Sequence, residues 1–332
     1  DAGADGRRQQ HRGGQEDRPV KELRTFVWCT YRDWSFQVLE ALLDLEDWRC
    51  GLVITTADCR YDFSAIEAAG ITVMRIDPRT GLKAGADGFA AISDLHPAAV
   101  FHYGWSWIVP EALCQLCPNV TMHPGKLPRD RGGSPIQNQI RNGEDWTYIN
   151  IMELVAGLDE GPVYCRARIS LAGEEADAVW ARMIAGGAAL TRKFLGDLAR
   201  GRAVAEAQDA SIEPTIYKRV TPAASRLDPT TQTSRFIHDV IRAHNETDAN
   251  TYVRPAFLPL GESRKLITLR ACLVAPEGVQ VISSADPAWN GEAAFDICHR
   301  VNNGEAVVSV EAADGGKIFV TRCRIQAARQ SR

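Results

Sequence analysis

From residue 25 onward, short runs of β-branched and aromatic residues alternate with longer stretches whose apolar positions recur every three or four residues. The runs Thr25–Cys29, Gly51–Thr55, Ile71–Ile76, Ala98–Tyr103 and Val120–His123 have the length and composition of buried strands. Between the first two, Trp34–Glu46 sets Phe36, Leu39, Leu42, Leu43 and Leu45 at helical spacing. Alternation of this kind implies crossover connections and hence a mostly parallel sheet covered by helices. Two more strand-like runs, Tyr148–Val155 and Val163–Leu171, lead into a long helical stretch at Ala176–Ala199. These elements predict one α/β domain over residues 21–210.

The texture then changes. Pro214 and Pro222 flank the polar-aromatic segment Thr215–Thr221 and interrupt both periodicities, so residues 211–222 read as a linker. Beyond it lie one helical pattern, Thr233–His244, and strand-like runs at Lys265–Val274, Val279–Ser283, Ala306–Val310 and Lys317–Gln326. Turn signals such as Asp314-Gly315-Gly316 separate them, which predicts a small antiparallel, OB-like β domain over residues 223–332. A length of 332 residues suits two domains. Residues 1–20 carry four acids and four arginines with almost no apolar side chains, so a disordered tail is expected there rather than a secretory leader.

Composition narrows the class. With 45% apolar and 24% charged residues and no apolar run approaching the ~20 residues of a membrane span, the chain reads as a soluble globular protein. Its net charge of −4 supplies no global positive field for a nucleic acid backbone, so nucleic acid is disfavoured as a partner. Nine scattered cysteines, an odd count, favour reduced thiols and a cytoplasmic setting. Cys114-x-x-Cys117 has no second ligand pair and lies in a helix-like apolar run, so no metal is expected.

The candidate chemistry is concentrated in two segments. His123 ends a strand and opens a loop with three glycines and three prolines before Ile136, a place where open α/β sheets put their ligand sites. The second is the tight turn Gly157-Leu158-Asp159-Glu160-Gly161-Pro162. Taken singly, an aspartate at a turn is more often turn-forming than catalytic, and a lone histidine is as often structural as catalytic.

Together, His123, Leu127-Pro128, Arg131-Gly132, Ser134-Pro135-Ile136 and Leu158-Asp159-Glu160-Gly161 resemble, in order and spacing, the formyltetrahydrofolate-dependent formyltransferase family. That family includes methionyl-tRNA formyltransferases, glycinamide ribonucleotide formyltransferases and amino-sugar N-formyltransferases. The likeness spans residues 25–201 and continues more weakly through 219–326, with Tyr217–Pro222 and Ser225–Asp228 similar to the opening of the smaller domain of longer members. It implies a Rossmann-like catalytic domain and 10-formyltetrahydrofolate as co-substrate, with no metal. It further implies that His123 takes a proton from an attacking primary amine while Asp159 orients and stabilises the imidazole.

Thr121 stands where the family has asparagine, a donor to the formyl oxygen. Either Thr121 takes that role, or Asn119 or Asn150 supplies the donor, or activity is altered. The resemblance puts the folate against Tyr103, Gly104, Trp105, Ile108, Pro110, Leu158 and Asp159. It puts the acceptor near Lys126, Arg131, Gly132, Gly133, Ser134 and Asn150.

Methionyl-tRNA formyltransferases carry a long basic insertion after the second strand; here Thr56–Asp62 has one arginine against two aspartates. With the run Gly132–Asn138, this favours a small-molecule amine, foremost a nucleotide-linked amino sugar. Initiator tRNA and hydroxyornithine are the alternative acceptors, and a non-catalytic folate- or nucleotide-binding protein of the same fold is the alternative of another class. Hydrolysis of the folate is also conceivable, and a homodimer is left open.

Overall fold

The computed structural model describes residues 23–172, 176–244, 255–260, 264–290 and 293–327; the tail expected at residues 1–20 lies outside them. The first part of the chain runs β1 (Arg24–Cys29), α1 (Asp33–Glu40), β2 (Trp48–Thr56), α2 (Ser64–Ala68), β3 (Thr72–Ile76), α3 (Asp87–Leu95), β4 (Ala99–Phe101), α4 (Glu111–Cys114) and β5 (Asn119–Pro124). It continues through β6 (Arg131–Gly132), α5 (Pro135–Arg141), β7 (Trp146–Glu153), β8 (Val163–Ser170), α6 (Ala176–Ala199) and β9 (Ile216–Tyr217). Among the described residues, seven strands form one sheet in the order β3-β2-β1-β4-β5-β7-β8. The first five are parallel, while β7 runs antiparallel to β5 and β8 antiparallel to β7. The mostly parallel α/β architecture is the expected one.

Alternation along β1 explains why its run is apolar throughout. Phe26 and Trp28 face the side covered by α1 and α6, and Val27 and Cys29 face the side covered by α3 and α4. Trp28 anchors α1 as well, donating its indole N–H to Ser35 Oγ at 3.0 Å. Helix α6 approaches the sheet closely because Gly187 lies against Met122; a Cβ there would sit 2.7 Å from the Met122 sulfur. The apolar stretch predicted as a helix to Glu46 leaves α-geometry at Glu40. Leu42 and Leu43 then bond three residues back, which tightens the turn while keeping Leu42 buried.

The remainder contains α7 (Ser234–Ala243), β10 (Ala256–Leu260), β11 (Arg264–Cys272), β12 (Gln280–Ser283), α8 (Ala293–Asn302), β13 (Ala306–Glu311) and β14 (Lys317–Ala327). These strands form a second sheet, β10-β11-β14-β13-β12, with its own apolar core. A small β-rich unit was expected here, but wholly antiparallel; instead β12 and β13 pair parallel. A parallel pair needs a crossover, and α8, which the sequence reading passed over, supplies it. The segment read as a linker has structure of its own: β9 pairs in parallel with β6, next to the predicted catalytic loop.

Candidate active site

In the sheet order the chain returns from β3 to β4 across β1, and a cleft of about 1150 Å³ opens beyond the carboxyl ends of these strands. Arg32 and Trp34 after β1, residues 104–110 after β4, Thr121 and His123 on β5, and the turn between β7 and β8 line it. Residues two apart on a strand share a face, so Thr121 and His123 line the cleft together, while Met122 also reaches it and packs against α6 at Gly187.

His123 is 6% exposed, and its Nε2 lies 2.7 Å from the backbone carbonyl of Asp130. A carbonyl only accepts, so Nε2 carries the proton and, in the neutral ring, Nδ1 presents its lone pair. Asp159 Oδ2 stands 3.5 Å from Nδ1. The expected imidazole–carboxylate pair is thus brought together, but the orienting partner is different. The Asp130 carbonyl fixes the ring from its far side, and Asp159 stands at the other ring nitrogen. The same Oδ2 accepts the Gly132 N–H at 2.8 Å. Asp159 and Asp130 both adopt left-handed backbone, φ 51° and 62°, a conformation that aspartate tolerates better than most residues.

The other expected contacts divide. Gly104, Trp105, Ile108, Pro110, Leu158, Gly132, Gly133 and Ser134 line the cleft. Tyr103 does not: its ring is buried against Trp28 and Phe101, and its hydroxyl pairs with Thr191 at 2.9 Å. Lys126 turns to Glu144 at 2.5 Å, and Arg131 pairs with Glu160 at 3.1 Å, so neither cation reaches the cleft. Asn150 is buried, and its amide hydrogens go to the carbonyls of His123 and Gly125, which ties β7 to the loop after β5 rather than to a ligand.

None of the three residues considered as donor to a formyl oxygen presents a spare hydrogen. Asn119 spends its amide on the carbonyls of Leu113 and Cys117, and its Oδ1 accepts from His102 Nε2 at 2.8 Å. Thr121 donates its hydroxyl to the His102 carbonyl at 3.1 Å. We therefore expect Thr121→Val to leave kcat within about threefold of the parent in a single-turnover assay, since it removes a bond made only within the protein. A loss on the order of 100-fold would show that the hydroxyl reorients toward the reacting oxygen. His102 itself is structural: burial pushes its pKa down to about 4, so it stays neutral.

Sequence reasoning missed Asp130, whose carbonyl holds the His123 ring, and three residues that follow α6. Tyr217 and Arg219 line the cleft because β9 lies along β6. Gln208 sits behind the Asp159 turn, bonded to the carbonyls of Asp159 and Gly161. A Gly/Pro-rich loop signals irregular backbone but not which distant segment it will pair with, and so these residues left no local mark.

Among the described residues no cluster of three or more His, Cys, Asp or Glu side chains is placed to hold a metal, and no helix is long and apolar enough to cross a membrane. Burial pushes the Cys117 thiol up to about 11, which keeps it protonated at neutral pH.

Residues 46–185 match the family described as Formyl transferase. A methionyl-tRNA formyltransferase from Novosphingobium aromaticivorans is 33% identical over 226 residues, covering 65% of this chain and 69% of that protein. The solved methionyl-tRNA formyltransferase from Clostridium thermocellum superimposes with a TM-score of 0.57 at 21% identity, over 76% of this chain and 94% of the other. The N-formyltransferase from Helicobacter canadensis, solved with folinic acid and dTDP-3-aminofucose, gives a TM-score of 0.56 at 13% identity, over 92% of this chain and all of the other (100%). At these identities the two structures speak for the fold alone.

Proposed function

The chain belongs to the formyl transferase family, and we propose that it moves the formyl group of 10-formyltetrahydrofolate to the primary amine of a small molecule, a nucleotide-linked amino sugar. The observation that carries the reading is the cleft-facing Nδ1 of His123 with the Asp159 carboxylate 3.5 Å away. The folate, when bound, supplies an activated formyl carbon.

The walls fit such a ligand. Trp105 and Trp107 meet edge-on at 5.2 Å beside the cleft. Ile108 and Leu158 stand 93% and 55% exposed on its rim, apolar surface that a flat heteroaromatic ligand would cover. An attacking amine has to shed a proton, and Nδ1 is the ring atom with a lone pair to take it. Once that proton arrives, the imidazolium donates toward Asp159 Oδ2, while the Asp130 carbonyl keeps the ring from rotating away. As the bond from the formyl carbon to the folate nitrogen breaks, the proton passes to that nitrogen. Gly132 N–H holds the carboxylate in place through the exchange.

The preference for a small acceptor is supported by the segment after β2. Tyr61 stacks on Phe36 at 4.4 Å and donates its hydroxyl to Glu40 at 2.9 Å. Cys59 and Phe63 are buried in the same core, so this segment is folded down rather than extended as a basic arm. Net charge points the same way. The tRNA reading has its own support in the sequence relatives, which are methionyl-tRNA formyltransferases.

The protein should therefore be incubated with 10-formyltetrahydrofolate and, separately, dTDP- and UDP-linked amino sugars, charged initiator tRNA and hydroxyornithine, with folate release followed. We expect turnover with an amino sugar. Turnover confined to the tRNA would overturn the acceptor assignment, and formylation of none of the acceptors would overturn the reading as a whole.

A further inference from the structure

We propose that Gln208 is a positioning residue for the transfer step, holding the Asp159 carboxylate at His123; the inference rests on the formyl-transfer reading of this cleft. Gln208 does not line the cleft, and it acts through other residues. Its Nε2 donates to the Asp159 carbonyl at 2.7 Å and to the Gly161 carbonyl at 2.9 Å. Its Oε1 accepts from Arg131 Nη2 at 2.8 Å and Nε at 3.3 Å. Both amide hydrogens and both oxygen lone pairs are thereby engaged, the full capacity of the side chain.

The partners make this more than a loop staple. Asp159 carries the first of the clamped carbonyls and is itself in the left-handed conformation, so the direction of its carboxylate depends on how that turn is held. Arg131 also pairs with Glu160, the residue after Asp159. The residue after Arg131 is Gly132, whose N–H donates to Asp159 Oδ2. One amide therefore fixes both the turn that carries the carboxylate and the strand that donates to it. Gln208 is itself registered by the residue two before it: Glu206 and Val163 exchange backbone hydrogen bonds at 2.8 and 2.9 Å, laying this segment against the start of β8. A displacement of the chain following α6 would thus be transmitted to the proton-handling pair.

The test uses the full chain carrying Gln208→Ala, Asp159→Ala or both. We expect Gln208→Ala to lower kcat on the order of 100-fold, as a misplacement near 1 Å does, with KM for 10-formyltetrahydrofolate within about twofold. The double variant should be no slower than Asp159→Ala, since both changes remove the same placed carboxylate. Independently of turnover, the Gly132 amide proton, read by NMR, should move upfield in Gln208→Ala in the same direction as in Asp159→Ala. Additive losses in the double variant, a kcat within about threefold of the parent, a rise in KM matching the loss of kcat, or an unmoved Gly132 resonance would each overturn the proposal. If the parent enzyme formylates no acceptor, the functional reading fails, while the Gly132 resonance still decides whether Gln208 places Asp159.

Discussion

Replacing His123 with alanine is expected to lower kcat by about 10³-fold, within the range found for loss of a general base, and to leave folate affinity within a few-fold of the parent. The reason lies in the direction of the ring. Its Nε2 proton is given to the Asp130 carbonyl, so Nδ1 is the basic atom, and Nδ1 looks toward the cleft and Asp159. Neither of the nearby candidates stands in for it: His102 is buried with its Nε2 proton on Asn119 Oδ1, and Lys126 is paired with Glu144 away from the cleft. Stability should fall by only about 1 kcal/mol, the net worth of the hydrogen bond to Asp130. Binding of a folate analogue by calorimetry and single-turnover formyl transfer together make the check. A variant that binds and still transfers at the parental rate would place the base elsewhere.

That pair was readable from the chain because His123 ends a short β-prone run just before a Gly/Pro-rich loop, and because Asp159 falls in a turn between two clear strands. The sequence runs place β1, β3 and β5 to within one residue of their observed ends, while β2 begins at Trp48, three residues before the Gly51 expected, because Trp48-Arg49-Cys50 breaks the apolar run. Where the reading missed, long-range pairing decided the outcome. Lys126 and Arg131 are cations in the loop that follows His123, and composition alone invites them into the cleft; Glu144, Glu160 and Gln208, all remote in sequence, claim them instead. Asn150 offers a polar side chain on the face of His123, yet two loop carbonyls consume its hydrogens. Helix α8 escaped notice because Ala293–Asn302 mixes small, polar and apolar residues over fewer than three turns, and the parallel register of β12 and β13 is what requires it. The segment around Tyr217 read as a linker because Pro214 and Pro222 break both periodicities. A two-residue parallel pairing is too short to leave a pattern of its own.

Gly132 concentrates these long-range demands in one position, and Gly132→Ala is expected to be severely damaging for a single added methyl. Its φ of +95° lies where a Cβ is unfavourable, and a methyl group built there would fall 2.3 Å from the Tyr217 carbonyl oxygen. That oxygen is backbone and cannot swing aside, and it accepts the Gly133 N–H at 2.9 Å, so relief has to come from parting β6 and β9. Parting them withdraws the Gly132 N–H from Asp159 and carries Tyr217 and Arg219 out of the cleft wall. Strain and lost bonds should together cost about 2–3 kcal/mol, lowering Tm by roughly 5–10 °C. kcat should fall on the order of 100-fold, because the carboxylate loses its fixed donor beside the base. Gly70→Ala is the matched comparison: φ there is +74° but nothing lies within 4 Å of the added methyl, so the backbone strain is present without the collision. That variant should lose about 1 kcal/mol of stability and no activity. Equal behaviour of the two variants in thermal melts and in single-turnover transfer would mean that the pairing of β9 with the catalytic loop does not govern the site.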